Sequence, residues 1–171
     1  FYPSLTRDGT IYFTVSSSET KTSVIMRARK GEKGYNEPEM LPSVINQPGT
    51  NTFNAFISHD EGCLIACIDG RECPINKGFA NYYIFFRDKK DHWSEGIPFG
   101  PEINMQGSNA ISASISPDGK FLFFAAQKIS ASIEKKSKNK SLGSILEVLN
   151  SPQNGNYDIY WADARIIEKY K

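Results

Sequence analysis

Ser116-Pro-Asp-Gly-Lys-Phe-Leu-Phe-Phe124 runs a tight acidic turn straight into an unbroken apolar segment. Gly119 tolerates the positive backbone dihedral that a short hairpin needs. The flanking residues therefore read as two strands, at about 111–116 and 120–126. Working outward, the same strand–turn–strand passage recurs at Phe1-Tyr-Pro-Ser-Leu-Thr-Arg-Asp-Gly9 and at Phe56-Ile-Ser-His-Asp-Glu-Gly62. Gly9, Gly62 and Gly119 stand 53 and 57 positions apart, a period that marks a repeat architecture.

Further matches set the register. Tyr35-Asn-Glu-Pro38 leads to Ile45-Asn46 as Trp93-Ser-Glu-Gly96 leads to Ile103-Asn104, with 11 positions from ring to Asn in both. Asn81-Tyr-Tyr-Ile-Phe-Phe86 is answered by Asn156-Tyr-Asp-Ile-Tyr-Trp161. The chain thus divides into repeats at 1–48, 49–107 and 108–171. Each reads as four short strands rich in Ile, Val, Phe, Tyr and Thr. They fall at about 2–7, 10–16, 22–29 and 37–42, then 53–58, 63–68, 82–87 and 95–99, then 111–116, 120–126, 158–164 and 166–170. An insertion at 128–156 interrupts the third repeat. Within it, Ser144-Ile-Leu-Glu-Val-Leu-Asn150 reads as a helical turn stopped by Pro152. The stretch holding Lys135, Lys136, Lys138 and Lys140 reads as a mobile, solvated loop.

The second strands are near-continuous apolar runs, Phe121-Leu-Phe-Phe-Ala-Ala126 and Cys63-Leu-Ile-Ala-Cys-Ile68. A strand with one wet face alternates apolar with polar, so these predict strands covered on both faces. Repeated four-stranded antiparallel meanders with buried middle strands favour an all-β fold of the β-propeller kind over a β-sandwich.

Laid out this way, the chain resembles the WD40-like Pro-Asp repeat proteins related to the propeller of TolB. The family motif is a strand, a Ser-Pro-Asp-Gly-Lys-type turn and an apolar strand, which 116–124 match closely. Thr6-Arg-Asp-Gly9 is looser, and Ser58-His-Asp-Glu-Gly62 reads as carrying one residue more. Residues 158–167 resemble the C-terminal end of such proteins, and 93–104 their outer strand and crossover. The resemblance covers nearly the whole chain outside the insertion. It implies a propeller fold and an exported protein, periplasmic or extracellular, and leaves the ligand open. Propellers close with about 4–8 blades, so three blades leave the ring open. The expected solutions are the C-terminal part of a roughly six-bladed ring or two copies closing a ring together. The start at Phe1 inside a strand favours the first.

At 171 residues, with 20 basic and 19 acidic side chains, the chain shows no basic stripe with interleaved aromatics, which argues against nucleic acid as a partner. No apolar run approaches the length of a membrane span, and no stretch of these residues reads as a signal peptide; with Phe1 opening inside a strand, a targeting segment is expected to lie ahead of it. Cys63 and Cys67 face one side of a strand at ~13 Å, too far for a disulfide. Cys73 is the one candidate to reach back to them, and three cysteines leave a free thiol either way. Their spacing is not that of a zinc site, and neither metal nor cofactor is expected.

No nucleophile elbow, Walker loop, dinucleotide fingerprint or zincin helix occurs. The two histidines, His59 and His92, fall in turns. Asp8, Asp60 and Asp118 recur at equivalent hairpins and are read as turn formers, since Asp bonds its own turn backbone. Tyr35 and Trp93 recur as well and are expected to pack between blades. Function is to be sought in what does not repeat. In an antiparallel meander the second-to-third loops and the blade-to-blade crossovers share one end, which gathers 17–21, 69–80, 128–156, 47–52 and 105–109. Long loops on a rigid scaffold are where binding usually resides. The candidate binding residues are therefore Arg71, Glu72, Asn76, Lys77 and Phe79, with Asn51 and Asn109 at the channel mouth. Two functions stay open: a non-catalytic scaffold for a protein, peptide or glycan, or the propeller portion of a larger enzyme whose catalytic residues lie elsewhere. A three-blade chain is also expected to self-associate through its open sheet faces.

Overall fold

The computed structural model describes residues 1–137 and 141–171, the side chains at 136 and 137 excepted. The first repeat runs β1 (Ser4–Leu5), β2 (Ile11–Ser16) and β3 (Ser23–Ala28), a side hairpin of β4 (Lys30–Gly31) and β5 (Gly34–Tyr35), then β6 (Glu39–Met40). Its antiparallel sheet has the order β1-β2-β3-β6. The second repeat gives β7 (Asn51–Ile57), β8 (Cys63–Asp69), β9 (Asn81–Phe86) and β10 (Ile97–Pro98), again a four-stranded meander. The third gives β11 (Ala113–Ile115), β12 (Phe121–Ile129) and β13 (Asn154–Asp163), in a sheet of three strands. The molecule is an all-β stack of antiparallel sheets, none of them closed.

The strand expected at 166–170 is instead a 3-10 helix, Ala164–Tyr170. Asp163 caps it by accepting the Arg165 N–H, and the turn buries Ile167. It also sets Tyr170 edge-on against Phe99, where the Tyr170 hydroxyl accepts the Gly100 N–H. The insertion holds two helices, α1 (Ala131–Ser137) and α2 (Leu142–Leu149), rather than a loop with one turn. Ser141 caps α2, and Leu142, Ile145, Leu146 and Leu149 lie exposed along it. Of the lysine cluster, Lys138 and Lys140 lie outside the described residues. No described helix is long and apolar enough to cross a membrane.

Three turns show how like repeats are built. Thr6, Ser58 and Ser116 each accept the N–H of the third residue on, from Gly9, Glu61 and Gly119. Those three residues have φ of +88°, +60° and +73°. The left-handed position in the second repeat is therefore Glu61, and Gly62 follows it. The odd repeat is the first. Thr6 closes back onto Thr10 around residues 7–9, whereas Ser58 closes onto Cys63 around 59–62 and Ser116 onto Phe121 around 117–120. As expected from their recurrence, Asp8, Asp60 and Asp118 bond their own turns, accepting from the N–H of Thr10, Gly62 and Lys120.

From these pairings, Tyr12, Ile65 and Phe123 occupy one strand position, and their β3-type partners are Arg27, Ile84 and Trp161. The likeness of 81–86 to 156–161 is thus displaced by two residues in space, which preserves which face each side chain takes. Tyr12 and Ile25 point to the second sheet, packing with Leu64, Ala66, Tyr83 and Phe85. Ile65 and Tyr82 point to the third, packing with Leu122, Phe124 and Ala126. The sheets stack head to tail, each offering the same face forward. β7 touches both β1 and β11, so the first strands share an inner edge. The middle strand β8 is buried on both faces up to Ile68, as its unbroken apolar run predicted. β12 is not: Leu122 and Phe124 are buried, while Phe121 and Phe123 are exposed, because no further sheet covers that face.

The repeated asparagines complete each unit. Asn46 donates to the carbonyls of Ile25 and Leu41 and accepts the Ile25 N–H. Asn104 does the same for Tyr82 and Phe99. Each ties the chain leaving the outer strand back to the third strand. Trp93 sits edge-on to Tyr12 between the sheets, but Tyr35 is exposed on its side hairpin. The three thiols are free and buried, Cys63 and Cys67 on one side of the second sheet and Cys73 on the other.

Candidate functional site

The crossover end carries an open two-lobed depression around the loop from β8 to β9. One lobe, about 350 Å³, is lined by Asp69, Gly70, Arg71, Glu72, Cys73, Lys77, Gly78 and Phe79. The other, about 550 Å³, takes in Asn51 and Asn109 with Lys21, Phe53, Asp69, Gly78 and Tyr157. Asp69 and Gly78 line both. The structure thus brings Arg71, Glu72, Lys77 and Phe79 together, and Asn51 and Asn109 together beside them. Asn76 lies apart, buried beneath the loop.

The candidate side chains differ in what they are free to do. Asn76 donates to Asn81 Oδ1 and to the Ser108 carbonyl and accepts the Gly107 N–H, so it staples the loop to the next crossover. Asn51 accepts the Ser23 N–H and Asn109 the Ala80 N–H. These are matching bonds at matching positions, which makes the pair a repeated structural feature. Arg71 lies over the rings of Tyr83 and Phe85, donates to the Val44 carbonyl and pairs with Glu95. It is a clasp between loop and sheets. By contrast, no ion pair joins the exposed Lys21, Asp69, Glu72 or Lys77 to another described residue. Those four charges share the depression's lining with Phe79, Phe53 and Tyr157. Sequence reading passed over Lys21, Asp69 and Tyr157. Their signal is positional, since each flanks the second-to-third connection of its own repeat.

The hairpin end uses its charges differently. Arg27, its side chain 7% exposed, donates to Asp91 and to Glu39. Arg87 pairs with both Asp91 and Glu61, and Tyr12 donates to Glu61 Oε1 at 2.6 Å. Arg29 adds bonds to Asp91 and Glu39. The network joins the first sheet to the second. Hydrogen bonds from Arg27 hold the Asp91 carboxyl well below the usual range. Burial, and then the bond to the Glu61 carboxylate, push the Tyr12 hydroxyl up. Two of its carboxylates sit on left-handed residues, Glu61 and Asp91 at φ of 60° and 68°.

Both histidines lie exposed in turns, and His92 Nδ1 stands 3.2 Å from Asp88 Oδ2. Burial pushes the Cys63 thiol up to about 12 and raises Cys67 further. Neither is therefore a ready nucleophile, since the thiolate is the reactive form. Among the described residues no three His, Cys, Asp or Glu side chains converge on a point that a metal ion would fill. No family model, no curated protein and no solved structure matches this chain.

Proposed function

We propose that the chain is a binding module: three blades of a β-propeller of the WD40-like Pro-Asp repeat, TolB-like kind, presenting its crossover end to a partner. The propeller reading is supported by the head-to-tail stacking of the sheets and by the shared inner edge of β1, β7 and β11. An exported setting belongs to the same reading through the resemblance alone. The observation that carries the function is the depression around Asp69–Phe79, where charges of both signs stand uncommitted beside aromatic rings. Lys21 and Lys77 suit a carboxylate, Asp69 and Glu72 an ammonium or amide, and Phe79 an apolar side chain. A peptide segment of mixed charge answers that pattern better than an uncharged glycan.

The test is to probe the purified chain against peptide and glycan arrays and to measure hits by calorimetry. Lys77→Ala and Asp69→Ala are each expected to weaken a peptide hit about tenfold, or ~1.4 kcal/mol. Lys89→Ala and Lys90→Ala, in the hairpin before His92, are expected to leave it unchanged. A hit lost on the hairpin substitutions and kept on the crossover ones would place the binding face at the wrong end. Glycan hits alone would discard the peptide.

A further inference from the structure

Lys21 holds a backbone conformation that its counterparts leave to glycine. Ser23 and Ala80 each give their N–H to an asparagine Oδ1 of the next repeat, on Asn51 and Asn109. Two residues before them stand Lys21 and Gly78. The strand position shared by Arg27, Ile84 and Trp161 puts Gly155 at the same place in the third sheet. All three are left-handed, with φ of +52°, +79° and +93°. That backbone is strained for a residue with a Cβ and free for glycine, so the lysine points to a use for its ammonium. Lys21 is exposed in the lining of the larger lobe of the crossover depression, about 550 Å³. Its ammonium makes no hydrogen bond or ion pair with another described residue.

Asn51 and Asn109 line the same lobe. Each commits its Oδ1 to a backbone N–H, at 3.0 and 2.9 Å, which fixes the amide. The Nδ2 donors, two on each amide, are left without a partner among the described residues. An ammonium and two anchored amides thus border one cavity as donors. Phe53, Ile111 and Tyr157 give it an apolar wall, and Asp69, its one carboxylate, also lines the neighbouring lobe.

We infer that this lobe binds a carboxylate carried by a peptide, at its C-terminus or on an Asp or Glu side chain. The inference rests on the peptide reading above and narrows it. Lys21 Nζ supplies the charge, and the Asn51 and Asn109 amides supply directed hydrogen bonds, which are stronger to an ionised acceptor. A ring or branched side chain beside the carboxylate lies on Phe53, Ile111 and Tyr157. Asp69 repels the carboxylate from its own side and accepts a peptide N–H, so the bound segment runs on toward Glu72, Lys77 and Phe79.

NMR of the nitrogen-labelled chain tests it, following the side-chain amide resonances of Asn51 and Asn109 against three probes. N-acetyl-phenylalanine carries a terminal carboxylate, N-acetyl-aspartyl-phenylalanine amide a side-chain one, and N-acetyl-phenylalanine amide neither. At least one acid probe is expected to shift both resonances and to bind at least about tenfold more tightly than the neutral amide. Which one does so identifies the source of the carboxylate. Lys21→Gly relieves the left-handed residue, so it is expected to unfold at no lower urea concentration than the parent. Its affinity for the acid probe is expected to fall to that of the neutral amide. Asn51→Asp keeps an acceptor for the Ser23 N–H and replaces the donors by a like charge. It is expected to lose the acid preference while its circular dichroism matches the parent's. Equal binding of acid and neutral probes would overturn the inference, as would an acid preference that survives Lys21→Gly. So would resonances that no probe moves. A peptide from the arrays that still needs Lys77 and Asp69 would, in any of those cases, leave the broader reading in place.

Discussion

Glu61 shows how a repeat bends to accommodate a contact. The turn asks for a residue at positive φ, which the first and third repeats meet with glycine. Holding a non-glycine residue there costs about 1–3 kcal/mol. The glutamate stays because its carboxylate receives Tyr12 from one sheet and Arg87 from its own. Both ends of the Arg87–Glu61 pair are largely buried, and removing one partner of such a pair typically costs about 3–5 kcal/mol, here at the lower figure because Arg87 keeps Asp91. Losing the pair therefore outweighs relieving the backbone. Glu61→Gly relaxes the turn and is nevertheless expected to destabilise the chain by about 2 kcal/mol, read as a lower urea midpoint at unchanged slope. A midpoint that rises would show that backbone strain dominates and that the pair contributes little. The sequence displayed the acidic-Gly turn but hid this role. The glycine beside Glu61 looks like the natural left-handed residue, and nothing local reveals a partner 49 residues away.

At the scale of elements, the strands were legible because burial writes itself into composition. β8 reads as unbroken apolar sequence and is covered on both sides. What was not legible is what depends on neighbours. The residues from Ile166 carry the β-branched and aromatic side chains of a strand, yet the Asp163 cap and the space beside Phe99 turn them into a helix. Tyr82 is a second case. Its hydroxyl has the carbonyls of Ser112 and Ala125 in donating reach, its one proton serving one of them at a time, and stands within accepting reach of the N–H groups of Ile111, Ser112 and Ala125. One side chain of β9 therefore pegs the inner strand and the middle strand of the next sheet, where Ile25 in the first sheet has no polar atom to offer. Tyr82→Phe keeps the ring against Phe124 and takes the hydroxyl from the Ala125 carbonyl and the partly buried Ser112 N–H, while the Ala125 N–H keeps its bond to the Ser112 carbonyl. Its expected cost is about 1–3 kcal/mol in urea denaturation. A cost near zero would mean that the backbone satisfies itself once the hydroxyl is gone.

At the scale of the molecule, the repeat made the stack and the end that carries the loops readable. It did not make the free charges readable, because sequence cannot distinguish an arginine folded over two rings, as Arg71 is, from a lysine left in solvent. The two sheet interfaces also differ in kind. Between the second and third sheets the contact is apolar, centred on Ile65, Ile84, Leu122 and Phe124. Between the first and second, an apolar layer is joined by Arg27, Arg87, Glu61 and Asp91. Asp91 has its carboxyl pKa lowered by the Arg27 bonds. A depressed carboxylate stabilises fully above its unfolded value, about 3.9, and that stability is lost as pH falls through the folded value. Glu39, lowered by the same arginine, acts in the same direction. Acid should therefore loosen the first sheet before the other two separate. In hydrogen exchange between about pH 5 and pH 2, amides of β2 and β3 are expected to lose protection relative to those of β9 and β12 in the same sample. Asp91→Asn should bring that loss on at neutral pH, since the substitution removes the charge that acid would neutralise. If all three sheets open together at every pH, the network adds nothing to the first interface that its apolar layer does not already supply.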